Sequence, residues 1–161
     1  MNSKGASEFI TAALLIMFGV AVLTLTVTVV KPALDRAQDS SIANEAMNNL
    51  RLIDNSIKEV AAEEKGAKRT LNIKSSNGLY QVDTRIDYLN FTYDMNQILN
   101  FGGSRDNINV TIERNTLKLF VVYNKIDLIG SAHIPKGAKQ ITIKHEGTNT
   151  TNSKPIVNIT S

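Results

Sequence analysis

The stretch FITAALLIMFGVAVLTLTVTVV, residues Phe9 to Val30, contains no charged side chain. At helical rise its length is about 33 Å, enough to cross the hydrocarbon core of a bilayer. The few residues before it are mostly polar, and the chain after it is polar and then strand-like. Three uses compete for such a segment. A secretory signal peptide has a shorter apolar core and a small-residue cleavage site after it, whereas Lys31-Pro32-Ala33 follows here without that pattern. A single-pass anchor needs nothing more than the run itself. A third use takes in Lys4-Gly5-Ala6-Ser7-Glu8 directly upstream, where a basic residue and a glycine precede small residues and one carboxylate stands at the edge of the apolar run.

The composition narrows the classes. The chain has 161 residues, so the part after the apolar run is about 130 residues, one domain's worth of water-soluble chain. The net charge of +3 is small and dispersed, which argues against a nucleic-acid partner. There is no cysteine, so disulfides and thiolate chemistry are excluded. Lys4 flanks the run on one side, while Lys31 and Arg36 on the other are offset by Asp35 and Asp39. The positive-inside rule therefore does not set an orientation.

Beyond the run, Pro32 cannot donate a backbone hydrogen bond and is expected to kink or open a continuing helix near Thr28. Ile42, Ala46, Leu50, Ile53, Ile57 and Val60 then recur every three or four residues, a one-sided helical stripe. The opposite face is expected to carry Asp39, Asn44, Asn48, Arg51, Asp54, Lys58 and Glu63. The helix should continue to about Lys65, with Gly66 as its C-cap. From Arg69 the pattern changes to alternation. Eight short strands are expected: around Arg69 to Lys74, Leu79 to Val82, Leu89 to Tyr93, Ile108 to Ile112, Leu117 to Tyr123, Ile126 to Ile129, Gln140 to His145 and Pro155 to Ile159. Asn77-Gly78 and Arg114-Asn115 are turn signals, Gly102-Gly103-Ser104 is a loop, and Thr148 to Lys154 is a polar low-complexity loop. The fold class is α+β: a long N-terminal hydrophobic helix continuing as an amphipathic helix, then an antiparallel, Ig-like β-sandwich.

The opening Lys4-Gly5-Ala6-Ser7-Glu8 with its 22-residue apolar run resembles archaeal type IV pilins, which carry class III signal peptides; archaellins are related filament subunits. The resemblance implies cleavage on the cytoplasmic side after Gly5, with Lys4 as the basic flank and Ala6 as the new N-terminus. It implies residues 1–5 as the removed signal, 6–66 as the long helix (6–30 in membrane or filament core, 31–66 amphipathic) and 67–161 as the globular domain. Glu8, by this resemblance, meets the N-terminal amine of a neighbouring subunit during assembly. Phe9, Leu14, Leu15, Phe18, Val22, Leu25 and Val29 would pack in the filament core. The implied partners are other copies of the chain, a prepilin peptidase, an assembly ATPase and a membrane platform protein. The chain would sit in the cytoplasmic membrane before assembly and in a cell-surface filament afterwards. The other readings are a monomeric membrane-anchored binding protein, a minor pilin and an archaellin. Archaellins usually lack an acid at the position of Glu8.

Candidate sites in the rest of the chain are few. Asn90, Asn109, Asn149 and Asn158 each begin an N-x-Ser/Thr sequon and are N-glycosylation candidates. With seventeen asparagines, roughly two or three sequons arise by chance, so their number alone carries nothing. Asn149, in the polar loop, is the leading candidate. His133 and His145 have no metal-ligand spacing. Asp83, Asp87 and Asp94 do not follow a calcium-loop pattern. No cofactor motif and no catalytic constellation is present, so a non-enzymatic role is expected.

Overall fold

A computed structural model describes residues 3–97, 103–104 and 107–161, with side chains described from Ser7 onward. Gly102, in the expected loop, lies outside the described residues. The backbone is helical from Ser3 to Ala62 in three segments: α1 (Ser3–Leu25), a π-helical turn (Thr26–Val30) and α2 (Lys31–Ala62). The π turn stands where Pro32 was expected to disturb the helix. Pro32 has no N–H to give Thr28, and its ring crowds that carbonyl. The backbone widens by one residue per turn, and the Lys31 N–H reaches back to the carbonyl of Thr26.

The chain divides into two compact units, one ending at Gln38 and the other spanning Asp39–Ser161. Among the described residues of the second unit, α2 is followed by nine strands: β1 (Lys68–Ser75), β2 (Leu79–Asp83), β3 (Tyr88–Asp94), β4 (Asn109–Glu113), β5 (Thr116–Val122), β6 (Asp127–Ser131), β7 (His133–Ile134), β8 (Gly137–Thr148) and β9 (Pro155–Thr160). They form a four-stranded sheet of order β1-β8-β9-β6 and a five-stranded sheet of order β4-β5-β3-β2-β7. The α+β class and the helix-plus-sandwich architecture hold, with two differences. The two-residue β7 adds a ninth strand, too short to show a period. The β6–β9 pair is parallel, running from Asp127↔Ile156 to Ser131↔Thr160, while the other pairs are antiparallel.

The apolar stripe of α2 packs with the inward faces of both sheets in one core. Leu50, Ile53, Ile57 and Val60 meet residues such as Ile73, Phe91, Leu119, Ile141 and Val157, all essentially inaccessible. Two corrections concern this helix. Asp39 and Asp54 do not lie on a solvated face but are buried, at 0% and 6% exposure. Asp39 stands three residues before Ile42 and Asp54 three before Ile57, so helical geometry brings both onto the edge of the stripe. The helix also stops at Ala62, earlier than expected. Gly66, with φ of +98°, instead turns the chain into β1, and its N–H donates to the carbonyl of His145.

Asn77-Gly78 carries the chain from β1 in one sheet to β2 in the other rather than closing a hairpin. Gly78 has φ of +84°, and a Cβ there would collide with the Phe91 ring and the Thr92 carbonyl. Arg114-Asn115 does close the β4–β5 hairpin, with Glu113 opposite Thr116.

Candidate functional site

Among the described residues, one helix is long and apolar enough to cross a membrane, and its most apolar part has no side chain buried within the protein. Phe9, Leu14, Leu15, Phe18, Val22, Leu25 and Val29 are all exposed, from 76% at Phe9 to 47% at Val22. Left in water, such a surface is unfavourable by roughly 25 cal/mol per Å², so lipid or other protein must cover it. The hydroxyls that interrupt the run suit either cover. Thr11 donates to the carbonyl of Ser7, Thr24 to Val20, Thr26 to Val22 and Thr28 to Thr24, at 2.7–2.9 Å. Each hydroxyl is satisfied within its own helix and asks nothing of an apolar neighbour. Glu8 is exposed at the start of this surface. Lys4, Gly5 and Ala6 lie on the helical backbone, and their side chains are outside the described residues.

The second unit begins with a buried anchor. The Asp39 carboxylate accepts from the Tyr93 hydroxyl at 2.6 Å, the Gln97 backbone N–H at 2.8 Å and the Asn96 carboxamide at 3.3 Å. These donors come from the end of β3 and the residues after it, so one side chain fastens the helix to that strand. A turn and a half further on, Glu45 accepts from the N–H and hydroxyl of Ser76, and Asn49 donates to the Lys74 carbonyl and the Tyr80 hydroxyl. Asp54 pairs with Lys58 at 2.5 Å. Burial, and then the charge of Asp54, hold the Tyr123 phenol protonated well above its ordinary range. The spacing of the stripe could have flagged Asp39 and Asp54. The Asp39 donors, 54 to 58 residues away, could not be read from it, whereas Lys58 lies one helical turn from Asp54.

The four sequons fall in two groups. Asn90 on β3 and Asn109 on β4 stand on the outward face of the five-stranded sheet, the Asn90 carbonyl oxygen sealed from solvent and that of Asn109 accepting from the Ser104 hydroxyl at 3.2 Å. Asn149 and Asn158 instead commit their amide nitrogens to carboxylates. The Asn149 amide donates to Asp127 at 2.6 Å while its carbonyl accepts from the Thr151 N–H at 2.9 Å. The polar loop is thus tied down around Asp127, which also receives Asn152 and, at 3.4 Å, Lys154. The Asn152 carboxamide does most to lower the Asp127 pKa below its ordinary 3.8, with Asn149 and Lys154 adding to it and burial opposing. Asn158 points its amide at Glu146, and its carbonyl oxygen is sealed from solvent.

The remaining candidates are dispersed. Asp83 accepts from the Arg85 N–H, Asp87 from the Leu128 N–H and Asp94 from the Thr116 hydroxyl, so each carboxylate serves a different turn or strand. His133 is exposed on β7, and His145 is buried between the carbonyls of Glu63 and Gly147. No group of three potential metal ligands occurs among the described residues. Two shallow hollows, of about 440 and 390 Å³, share Tyr88 and Asn90 on the outward face of the five-stranded sheet. The first is lined by polar groups including Gln81, Asp83 and Arg85, the second by Ile86, Phe120 and Val122. No protein-family model matches the chain, and no curated protein or solved structure matches it.

Proposed function

We propose that this chain is a structural subunit of a surface filament of the archaeal type IV pilus kind. The observation that carries the reading is the wholly exposed apolar helix from Phe9 to Val30, joined to a unit that completes its core without it. A helix apolar on every side requires cover on every side. Lipid supplies it before assembly, and sister helices supply it in a filament core, where packing and polar pairing provide the gain over lipid. Lys4, Gly5 and Glu8 favour this use over a plain anchor. In the proposed sequence of events a prepilin peptidase cuts after Gly5, an assembly ATPase and platform protein extract the subunit, and Glu8 docks it against the free amine of Ala6 on its neighbour. The β-sandwich then forms the outer shell at the cell surface, with adhesion as its role.

The test is the N-terminal sequence of the protein sheared from intact cells. Ala6 as first residue in a filamentous, high-molecular-weight fraction is the expected result. An intact Met1 on protein that stays in the membrane fraction would sink the filament reading and leave an anchored surface protein.

A further inference from the structure

The register of the five-stranded sheet brings two separate sequons side by side. Asn109 on β4 is opposite Phe120 on β5, and Phe120 is opposite Asn90 on β3. The next outward row repeats the arrangement, with Thr111 opposite Lys118 and Lys118 opposite Thr92. Both sequons, Asn90-Phe91-Thr92 and Asn109-Val110-Thr111, therefore present asparagine and threonine on one face, at one level, on the two strands that flank β5. Strand alternation turns Phe91 into the core and leaves Asn90 and Thr92 half-buried on the outer face, with the Asn90 carbonyl oxygen turned away from solvent. At the usual strand spacing the two asparagines are about 10 Å apart, with the Phe120 ring between them.

We infer that Asn90 and Asn109 are a paired N-glycan site and that Phe120 is the platform on which the innermost sugars rest. A pyranose has one face made of C–H groups, which seats on the negative face of an aromatic ring. The apolar hollow lined by Ile86, Tyr88, Phe120 and Val122 opens at the foot of Asn90, and Ile86 and Val122 are 61% and 45% exposed. A sugar attached at Asn90 covers it. The modification joins the Asn Nδ2 to the anomeric carbon of a lipid-phosphate-linked saccharide. The anomeric C–O bond to phosphate breaks, the lipid phosphate leaves with the bonding pair, and the amide gives up one proton.

The other two sequons lack this setting. The acceptor nitrogen of Asn149 lies 2.6 Å from a carboxylate that also binds Asn152 and Lys154. Asn158 lies flat on Gly130, where even a Cβ would come within 2.4 Å of its carbonyl oxygen. The pairing thus reverses the ranking that loop position alone gives to Asn149. It rests on the reading that the sandwich faces outside the cell, but not on filament assembly.

The experiment is site-resolved glycopeptide mass spectrometry on full-length protein from the cells that naturally make it. Glycan mass on both Asn90 and Asn109, with Asn149 and Asn158 bare, is expected. Thr92→Ala and Thr111→Ala should each remove one glycan mass, while Thr92→Ser and Thr111→Ser retain it. A bare Asn90, a bare Asn109 or a glycan on Asn149 or Asn158 overturns the assignment. Phe120 is tested by melting: the glycosylated protein should melt above its double Thr→Ala counterpart, and Phe120→Ala should shrink that difference without removing either glycan. An undiminished difference removes Phe120 from the role. Filaments with bare asparagines would sink this inference and spare the filament. Glycans on a chain that keeps Met1 in the membrane would do the reverse.

Discussion

Phe9–Val30 and Ile42–Val60 are both helical and both rich in aliphatic side chains, yet they spend them in opposite ways. In the second stretch the apolar residues fall every three or four positions, and Ile42, Leu50, Ile53, Ile57 and Val60 are 0–5% exposed against the two sheets. In the first they fall at nearly every position, and its large hydrophobic residues are at least 47% exposed. A stripe can be covered by one partner layer, and the chain supplies that layer itself. An apolar surface that goes all the way round cannot be covered by one attached domain, so lipid or other protein must cover it. The spacing of hydrophobic residues decides which half of the helix is structural and which is for association.

The sharpest way to break this contrast is to separate the halves. A chain shortened to Lys31–Ser161 should remain in solution without detergent and unfold cooperatively, because its core draws nothing from Phe9–Val30. The full chain should need lipid, detergent or assembly to stay dispersed. Sedimentation and circular dichroism check both. Aggregation of the shortened chain would show that the apolar helix is needed for folding.

Single substitutions give the next largest effect. Leu50→Ala should cost the globular unit about 2–5 kcal/mol, since Leu50 is wholly buried and deletion leaves a cavity. Leu15→Ala, at a position 70% exposed, should leave the denaturation midpoint of that unit unchanged. Chemical denaturation in detergent, followed by a signal from the sheets, compares them. Equal destabilisation would mean the two helix halves are not independent.

How much of this could be read in advance follows from the range of the interactions. The stripe from Ile42 to Val60 was legible because helical periodicity is local, and so was the alternation in β1, β4 and β8. The burial of Asp39 was not, because its donors Tyr93, Asn96 and Gln97 lie 54 to 58 residues away. The parallel β6–β9 pair was equally hidden, since Asp127–Ser131 and Pro155–Thr160 give the same apolar pattern whichever way they run. The sequons were plain as motifs, but the row Asn109, Phe120, Asn90 exists only once strand order and register are known. The membrane-length apolar helix was legible because an unbroken apolar run is itself a sequence pattern.

Alkaline pH probes the buried interface from the helix side. Burial pushes the Tyr80 phenol up to about 12, with the nearby Glu45 carboxylate adding to it and the Asn49 hydrogen bond opposing. A raised folded pKa means the contribution is fully present below the unfolded value of 10 and is lost as pH climbs through about 12. The Tyr80 share of the loss should approach about 3 kcal/mol, and Tyr80→Phe should remove that share and leave the one due to Tyr123, whose phenol burial also holds above its ordinary range. The Phe9–Val30 half contains no titratable group, so its detergent-bound helicity should not change over the same range. Equilibrium unfolding from pH 9 to 12 measures the first and circular dichroism the second.

The smallest expected effect tests whether the loop that looked unstructured in the sequence is in fact held. The Asp127 carboxyl is lowered below 3.8 by Asn152 first, then by Asn149 and Lys154, against an opposing effect of burial. A depressed folded pKa contributes stability above the unfolded value, and that contribution fades as pH falls through the folded one. The loop at 149–154 should therefore stay closed at neutral pH and loosen below about pH 4. The Thr151 and Lys154 N–H groups donate to the carboxamide oxygens of Asn149 and Asn152, which Asp127 orients. Their hydrogen exchange, corrected for its intrinsic pH dependence, should quicken there, while that of the Leu119 and Val121 amides in the core does not. Asp127→Asn should abolish the pH dependence and leave the loop open at every pH. Exchange at Thr151 that tracks the core amides through acidification would mean that the loop is held closed by something other than the Asp127 carboxylate.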